Sequence, residues 1–285
     1  MEGALPDIGD IQTNTIAGLT VRLARCGVTG GIPVLLTSPW PESIYAFRDV
    51  LPALRGIASV VAVDLPGFGQ SEGRAELMSP AAMGRFIVVL AEQLGLARVH
   101  AVGPDVGALA LLFAAAAKPD LFESLVVGSG ATSVDLAAGV LRDLIASPVG
   151  AFAEQQGGDI GTGFVVQAAA RPTPAAVLRD YWESSEGRRF EEAANFVRAY
   201  PRELPLLHER LPSIRTPVLV LAGAADPVVP PENGYMLGRL LPRCRQILLE
   251  GGHLIWEDAA AAYGAEIRKW VRGGYLSLRE APRPA

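Results

Sequence analysis

The segment Gly103-Pro104-Asp105-Val106-Gly107 is the local feature best suited to chemistry. It joins a predicted buried strand, Val99 to Val102, to an apolar helix, Ala108 to Ala117. Small residues two positions before and after a polar one permit a cramped strand-to-helix turn, which would lift Asp105 out of the sheet at the positive end of the helix. We expect an exposed, ionised Asp105 there. The alternative is an ordinary loop in which Asp105 caps the helix.

Two later residues favour the first interpretation. Asp226 follows the predicted strand Val218 to Ala222, and His253 follows the predicted strand Gln246 to Leu249. Taken singly, an aspartate before a proline is typical of a turn, and a lone histidine is most often structural. The chain order of nucleophile, acid and histidine, each at the carboxyl end of its strand, instead predicts a catalytic triad of Asp105, Asp226 and His253.

The elements that must position these residues alternate along the chain. Short β-branched runs and longer alanine- and leucine-rich stretches predict a mostly parallel, twisted sheet flanked by helices. The predicted strands are Ile11 to Ala17, Leu19 to Ala24, Pro33 to Leu36, Ser59 to Val63, Val99 to Val102, Leu121 to Val127, Val218 to Ala222 and Gln246 to Leu249. The first two predict an antiparallel hairpin around Gly18. The predicted helices of the core are Ala46 to Arg55, Pro80 to Leu94, Ala108 to Ala117, Glu232 to Leu241 and Ala259 to Val271.

The strand pattern stops between residues 131 and 212. Glycines, prolines and helical pieces such as Ala175 to Trp182 and Phe190 to Ala199 take its place. We therefore predict an α/β core formed by residues 1–130 and 213–285, with a helical lid (cap) inserted as residues 131–212. The final ten residues are predicted to be a loose tail.

Composition argues against several classes of function. The 25 Lys and Arg against 30 Asp and Glu, with a pI near 5.4, leave no basic field for nucleic acid or an anionic membrane. Cys26 and Cys244 lack partners at metal-ligand spacing, and the longest apolar run ends at Ala117. The first ten residues are acidic where a signal peptide would be basic. We expect a cytoplasmic protein with no metal, no cofactor and a small-molecule substrate; the oligomeric state is not predicted.

Four segments resemble enzymes of the α/β-hydrolase fold. They are Val61 to Ser71, the Asp105 pentapeptide, Val218 to Pro230 and Glu250 to Asp258, and the resemblance covers nearly the whole chain outside the lid. An aspartate at the nucleophile position is similar to the branch that contains epoxide hydrolases and haloalkane dehalogenases. The resemblance implies an α/β-hydrolase fold and a reaction through a covalent ester of Asp105.

The chemistry of a carboxylate agrees with that branch. Attack by aspartate on an ester or peptide would give an uphill anhydride, whereas displacement at an sp³ carbon gives an alkyl ester of the enzyme. His253, oriented by Asp226, would then deprotonate a water molecule that attacks the Asp105 carbonyl carbon and releases an alcohol or diol.

The hydrolytic step needs N–H donors for the oxyanion. Val106, directly after the nucleophile, offers one, and the loop after the third strand offers the other. Family members usually have His-Gly-x-Pro there, whereas this chain has Ser38-Pro39-Trp40-Pro41, so the matching backbone donor is Trp40. The Trp40 indole ring is either a packing group or a substrate contact.

Leaving-group donors separate the two chemistries. Epoxide hydrolases usually supply two lid tyrosines, and dehalogenases often supply a Trp directly after the nucleophile, where this chain has Val106. Asn195-Phe196-Val197-Arg198 resembles the epoxide hydrolase segment that ends the lid, with Val197 in place of the catalytic Tyr. The candidate substitutes are Tyr181, Trp182, Tyr200 and Tyr235, and we favour Tyr181 with Trp182 because the pair combines O–H and N–H donors with apolar bodies.

Three functions follow, in order of preference. The first is an epoxide hydrolase-like enzyme for an apolar, bulky or aromatic substrate, and a secondary-metabolite pathway is one context that fits. The second is a haloalkane dehalogenase using the same Asp105 ester. The third is a non-hydrolytic member of the fold that binds or rearranges a biosynthetic intermediate, which the missing tyrosine pair motivates. A serine-type esterase ranks lower because Asp105 would have to be replaced.

Overall fold

An eight-stranded sheet forms the centre of the molecule. The computed structural model describes residues 3–278. Its strands are β1 (Asp10–Ile16), β2 (Leu19–Gly27), β3 (Val34–Thr37), β4 (Ser59–Val63), β5 (Val99–Pro104), β6 (Phe122–Gly128), β7 (Val218–Gly223) and β8 (Cys244–Leu249). Their order across the sheet is β1-β2-β4-β3-β5-β6-β7-β8. Strand β2 pairs antiparallel with β1 and β4, and the other pairs are parallel. The predicted mostly parallel sheet and the antiparallel hairpin are confirmed.

Helices cover both faces of this sheet. The α-helices of the described residues are α1 (Leu51–Arg55), α2 (Pro80–Gln93), α3 (Val106–Ala117), α4 (Gly139–Ala146), α5 (Gly157–Ala168), α6 (Ala175–Ser184), α7 (Arg189–Arg198), α8 (Tyr200–Arg210), α9 (Glu232–Leu240), α10 (Ile255–Asp258) and α11 (Ala260–Val271). Helices α4 to α8 lie between β6 and β7, within the segment predicted as the lid.

Two apolar clusters sandwich the sheet, and the strand sequences explain why. Because successive side chains of a strand point to opposite faces, Val218 and Val220 of β7 pack with α2, α3 and α9, whereas Leu219 and Leu221 pack with α1, α10 and α11. A strand buried on both faces is apolar throughout, as β7 is. Because the strands are packed on both faces, the positions of their carboxyl ends, where the candidate residues lie, are fixed.

One predicted helix is wrong in part. The sequence 46–55 was expected to be continuous, but the chain makes a 3-10 turn at Ile44–Phe47 and begins α1 only at Leu51. Pro52 explains the break, because proline lacks an amide hydrogen and clashes with the preceding helical turn. It is tolerated at the second position of α1, where that hydrogen would have no partner.

Part of the predicted tail lies among the described residues. Of the predicted loose tail, residues 279–285 lie outside the described part. Within residues 3–278, no helix combines the length and apolar character that crossing a bilayer requires.

We predict that Gly128→Ala destabilises the protein by about 1–3 kcal/mol, because the new methyl group would overlap the backbone carbonyl of Leu221 in the neighbouring strand. The matched control is Gly163→Ala on the exposed face of α5, where nothing lies within 4 Å of the added carbon. The control should stabilise by about 0.5–1 kcal/mol, since glycine inside a helix costs that much. Urea denaturation measures both, and equal unfolding free energies for the two variants would contradict the packing argument.

Candidate active site

Asp105 occupies a strained turn between β5 and α3. Its backbone has φ 54° and ψ −122°, in the half of conformational space that side chains rarely enter. A Cβ on Gly103 or Gly107 would overlap the Thr37 hydroxyl, so both positions need glycine for this close approach to β3. The predicted cramped turn is therefore present. It directs the Asp105 side chain out of the sheet at the carboxyl ends of the strands.

Two backbone N–H groups hold the Asp105 carboxylate. The amide of Trp40 donates to Asp105 Oδ2 at 2.8 Å, and the amide of Val106 also bonds to the carboxylate. These are the two residues that the sequence predicts as oxyanion donors. Although the chain has Ser38-Pro39 where the resemblance implies His-Gly, the Trp40 amide still lies within hydrogen-bond distance of Asp105.

Asp226 and His253 lie beside this carboxylate. Asp226 Oδ1 accepts the amides of Val228 and Val229, each at 2.9 Å, which fixes the side chain. Asp226 Oδ2 lies 2.9 Å from His253 Nδ1, and His253 Nε2 lies 3.9 Å from Asp105 Oδ1. The structure thus brings the three predicted triad residues together in the order nucleophile, histidine, acid.

The surroundings shift the pKa of each member. Burial raises the pKa of Asp105 above its usual value, against the opposing effects of His253 and the two amides. For His253, burial favours the neutral ring, but the Asp226 charge outweighs burial and raises the pKa. Asp226 keeps a lowered pKa despite burial, because His253 and the two amides stabilise its charge. The arrangement keeps Asp226 ionised and makes His253 a stronger base.

A cavity of about 200 Å³ opens at the carboxylate. Helices α4, α5 and α7 of the lid segment contribute to its walls, which are almost entirely apolar. Its lining consists of Trp40, Pro41, Asp105, Val140, Leu141, Asp143, Leu144, Phe152, Ile160, Phe164, Phe190, Val197, Val228 and His253. These walls leave the Asp105 side chain 15% exposed, so the side chain predicted to be exposed is only partly so.

The favoured leaving-group donors do not line this cavity. Tyr181 is fully buried, and its hydroxyl donates to Glu257, which also binds Arg48. The indole of Trp182 donates to Asp159 Oδ1 at 2.8 Å and packs against Gly158. Both donors of the pair are occupied by protein partners. Their position therefore corrects the expectation that the pair polarises a substrate.

The remaining tyrosine candidates differ from each other. Tyr235 is 49% exposed on α9 and lies outside the lining. Tyr200 is buried, and its pKa is raised well above the usual value, first by burial and then by the charge of Asp105. Tyr200 therefore lies within electrostatic range of the nucleophile. Val197, which replaces the family tyrosine, is in the lining and has no donor.

Sequence reasoning missed a buried charge cluster that attaches α6 to the core. Asp180 accepts bonds from Arg22, Ser43 and Gln70, and Arg22 also pairs with Asp64 at 2.6 Å. The next residue, Tyr181, bonds to the second charged group, the Glu257–Arg48 pair. The Val61 to Ser71 motif contains Asp64, but no sequence signal paired it with a residue of the lid segment.

Asp64 also stabilises the chain next to the loop that contains the Trp40 amide. Its Oδ1 accepts the amide of Ile44, just beyond that loop, at 2.8 Å. The charged cluster therefore links α6 to the backbone that holds Asp105.

Among residues 3–278, no three His, Cys, Asp or Glu side chains are grouped so that they could hold a metal ion.

The family follows from a comparison with known proteins. A family profile described as alpha/beta hydrolase fold matches residues 32–260. The chain belongs to this family. The match includes Trp40 and all three triad residues, so the geometry above belongs to the part of the chain that defines the family.

Curated relatives in the α/β-hydrolase family act on different bonds. The chain is 28% identical over 251 residues to a pimeloyl-[acyl-carrier protein] methyl ester esterase from Neisseria meningitidis, covering 85% of this chain and 93% of the relative. It is 24% identical over 294 residues to a haloalkane dehalogenase from Bradyrhizobium diazoefficiens, covering 93% and 94%. A soluble epoxide hydrolase from Corynebacterium sp. is 34% identical over only 97 residues, 34% of each chain.

The fold is shared with haloalkane dehalogenases of known structure. The crystal structure of one from Bradyrhizobium elkani superposes with a TM-score of 0.78 at 21% identity, covering 93% of this chain and 98% of that one. This α/β hydrolase is therefore related to haloalkane dehalogenases and, over a shorter stretch, to an epoxide hydrolase.

The pKa shifts predict the pH dependence of hydrolysis at this site. A reaction through an Asp105 ester requires Asp105 as a carboxylate and His253 as a neutral base, so by this mechanism activity is lost as pH falls through each raised pKa. We expect the acid limb of kcat to have its midpoint above about pH 6.5, the ordinary histidine value. Rates measured between pH 5 and 9 test this.

The control for this pH profile is Asp226→Asn, which removes the charge that raises the His253 pKa. Its residual activity should be far lower and its acid midpoint should move to lower pH. An unmoved midpoint in this variant would show that His253 does not control the limb.

Proposed function

We propose that this protein is a hydrolase that breaks a carbon–halogen bond of a small apolar molecule through an alkyl ester on Asp105. The observation that supports it is the position of the carboxylate. Asp105 is held by the Trp40 and Val106 amides, faces an apolar cavity, and has His253 Nε2 at 3.9 Å. In such a cavity a carboxylate is poorly hydrated, which favours its attack on an uncharged carbon.

The first step is a displacement at an sp³ carbon. One Asp105 oxygen attacks the carbon that bears the halogen, the carbon–halogen bond breaks, and the halide leaves with the electron pair. The other carboxylate oxygen becomes the ester carbonyl, which the two amides can continue to bind. An acyl substrate, such as the methyl ester of the esterase relatives, would give an anhydride instead, so the esterase activity does not carry over to an aspartate nucleophile.

The second step releases the product. His253 takes a proton from water, and the resulting hydroxide attacks Cγ of Asp105. The Trp40 and Val106 amides stabilise the tetrahedral oxyanion, and collapse expels the alcohol and restores the carboxylate. Asp226 stabilises the imidazolium, which then loses its proton to solvent. The sum is an organic halide and water giving an alcohol, a halide ion and a proton.

The donors near the cavity favour halide as the leaving group. A halide departs without a proton and needs only N–H donors. Trp40 lines the cavity, and its indole N–H is buried with no partner among the described residues. Leaving a buried donor without a partner destabilises the folded protein by about 1–3 kcal/mol. Such a donor is expected where a bound ligand supplies the acceptor. No tyrosine of the described residues lines the cavity.

Epoxide hydrolysis is the second candidate, and Tyr200 is the observation that favours it. Opening an epoxide generates an alkoxide, which requires an acid near the breaking bond. Tyr200 is buried within range of the Asp105 charge. Tyr200 does not belong to the cavity lining, which puts this candidate behind dehalogenation and reverses the order that the sequence alone suggested.

We predict that His253→Gln traps the ester, because alkylation by Asp105 needs no base whereas hydrolysis does. The purified variant is incubated with bromoalkanes and, separately, with alkyl and aryl epoxides, and its intact mass is recorded. Dehalogenation adds the mass of the substrate less one hydrogen halide, and epoxide opening adds the whole epoxide. Peptide mapping should place either adduct on Asp105.

The matched control is the double variant Asp105→Asn, His253→Gln, which should gain no mass. An adduct in the double variant would contradict the role of Asp105. A folded single variant without an adduct from either panel would favour the non-hydrolytic member of the fold.

A second pair of variants separates the leaving groups. Trp40→Phe keeps an aromatic side chain and the backbone amide but removes the indole N–H, so halide release should fall about ten-fold or more, the value of one hydrogen bond to a charged group. Tyr200→Phe should leave halide release nearly unchanged and impair only epoxide opening. Steady-state halide and diol assays measure both, and the opposite pattern would favour the epoxide candidate.

A further inference from the structure

The mouth of the cavity carries a negative charge. Asp143, on α4, is exposed to solvent and also belongs to the cavity lining, so it lies where the cavity meets the solvent. Its neighbour on the same helix, Val140, is likewise both exposed and in the lining. Because Asp143 is both exposed and in the lining, a long substrate whose reacting carbon is at Asp105 can place its far end beside this carboxylate.

No cation of the described residues neutralises Asp143. The adjacent Arg142 directs its guanidinium to the backbone carbonyl of Ala137 through two hydrogen bonds. Arg198, which reaches the loop just after α4 by bonding to Ser147, forms its ion pair with Glu191 at 2.7 Å. Neither arginine belongs to the cavity lining. The Asp143 carboxylate therefore has no ion pair among the described residues.

The inner part of the cavity has no positive charge that could offset the negative charge of Asp143. Its other ionisable lining groups are Asp105 and His253, and His253 is already paired with Asp226. No lysine or arginine of residues 3–278 lines the cavity. A carboxylate on the substrate would lose hydration among apolar side chains and meet only like charge. The same field attracts a cation at the far end of the substrate.

We propose that Asp143 determines the charge of the substrate, so that the site accepts molecules whose end remote from the reacting carbon is neutral or cationic and rejects those ending in a carboxylate. This inference rests on the proposed function for the reaction at Asp105, and it deepens that function by naming the substrate class. Since Asp143 acts from the mouth, it affects the capture of substrate and leaves the attack itself to Asp105.

The test uses three bromides of equal chain length: 6-bromohexan-1-ol, 6-bromohexyltrimethylammonium and 6-bromohexanoate. In the wild-type protein kcat/KM for the ammonium should exceed that for the carboxylate by at least about ten-fold. Asp143→Asn should reduce this ratio by about five-fold, the usual upper limit for one exposed charge pair, and Asp143→Lys should reduce it further. Added sodium sulfate should reduce the wild-type ratio in the same direction.

The matched control is Asp135→Asn, which removes an equally exposed carboxylate outside the lining. It should keep the wild-type ratio, because a general effect of net charge would alter both variants alike. Ratios in the two Asp143 variants equal to the wild-type ratio would overturn the proposal and leave the Asp105 reaction standing.

A binding measurement separates failure of this proposal from failure of the proposed function. Hexyltrimethylammonium and hexanoate, which cannot react, are titrated calorimetrically into the wild-type protein, Asp143→Asn and Asp135→Asn. We expect tighter binding of the ammonium, with the preference reduced only in the Asp143 variant. If no bromide is turned over or trapped but this preference appears, the reaction is wrong and the role of Asp143 stands. Equal binding of both ligands to the wild-type protein overturns that role.

Discussion

The strained backbone of Asp105 is the constraint on which the rest of the site depends. A side chain with φ 54° persists only because the surroundings determine it: β5 enters the turn, α3 leaves it, and Thr37 packs where Gly103 and Gly107 lack side chains. That conformation puts the carboxylate against the Trp40 and Val106 amides. In the proposed reaction, the same two donors would bind the ester carbonyl and its oxyanion, with little reorganisation between steps.

Buried charged groups connect the lid segment to the core. Asp180 and Tyr181, adjacent on α6, bind two separate groups of the core: Arg22 with Ser43, and Glu257 with Arg48. Removing one partner from such a buried group would leave an uncompensated charge, which costs far more than a surface ion pair contributes. Helix α6 is therefore held against the core, while α4, α5 and α7 contribute side chains to the walls of the cavity.

Within one family, the nucleophile and the cavity decide different aspects of the reaction. In the proposed reaction, an aspartate in the turn selects saturated carbon over acyl carbon, because an alkyl ester can be hydrolysed and an anhydride is costly to form. The walls then restrict the substrate by their apolar character, and the few polar groups that remain in the lining act on charge or on the leaving group. The relatives of this chain include an esterase, a haloalkane dehalogenase and an epoxide hydrolase, so membership of the family does not by itself decide the reaction.

The sequence by itself determined the sheet, the order of its strands and helices, and the positions of Asp105, Asp226 and His253, because strand periodicity, glycine spacing and strand ends are local properties of the chain. It also identified the Trp40 and Val106 amides, which follow from position relative to strand ends. Only the tertiary structure decided which aromatic residues face the cavity. Tyr181 and Trp182 have the composition of substrate ligands, but Glu257 and Asp159, each more than 20 residues away in sequence, bind their polar atoms. The direction of a side chain on a lid helix depends on how that helix packs against distant segments, and no local pattern encodes that packing.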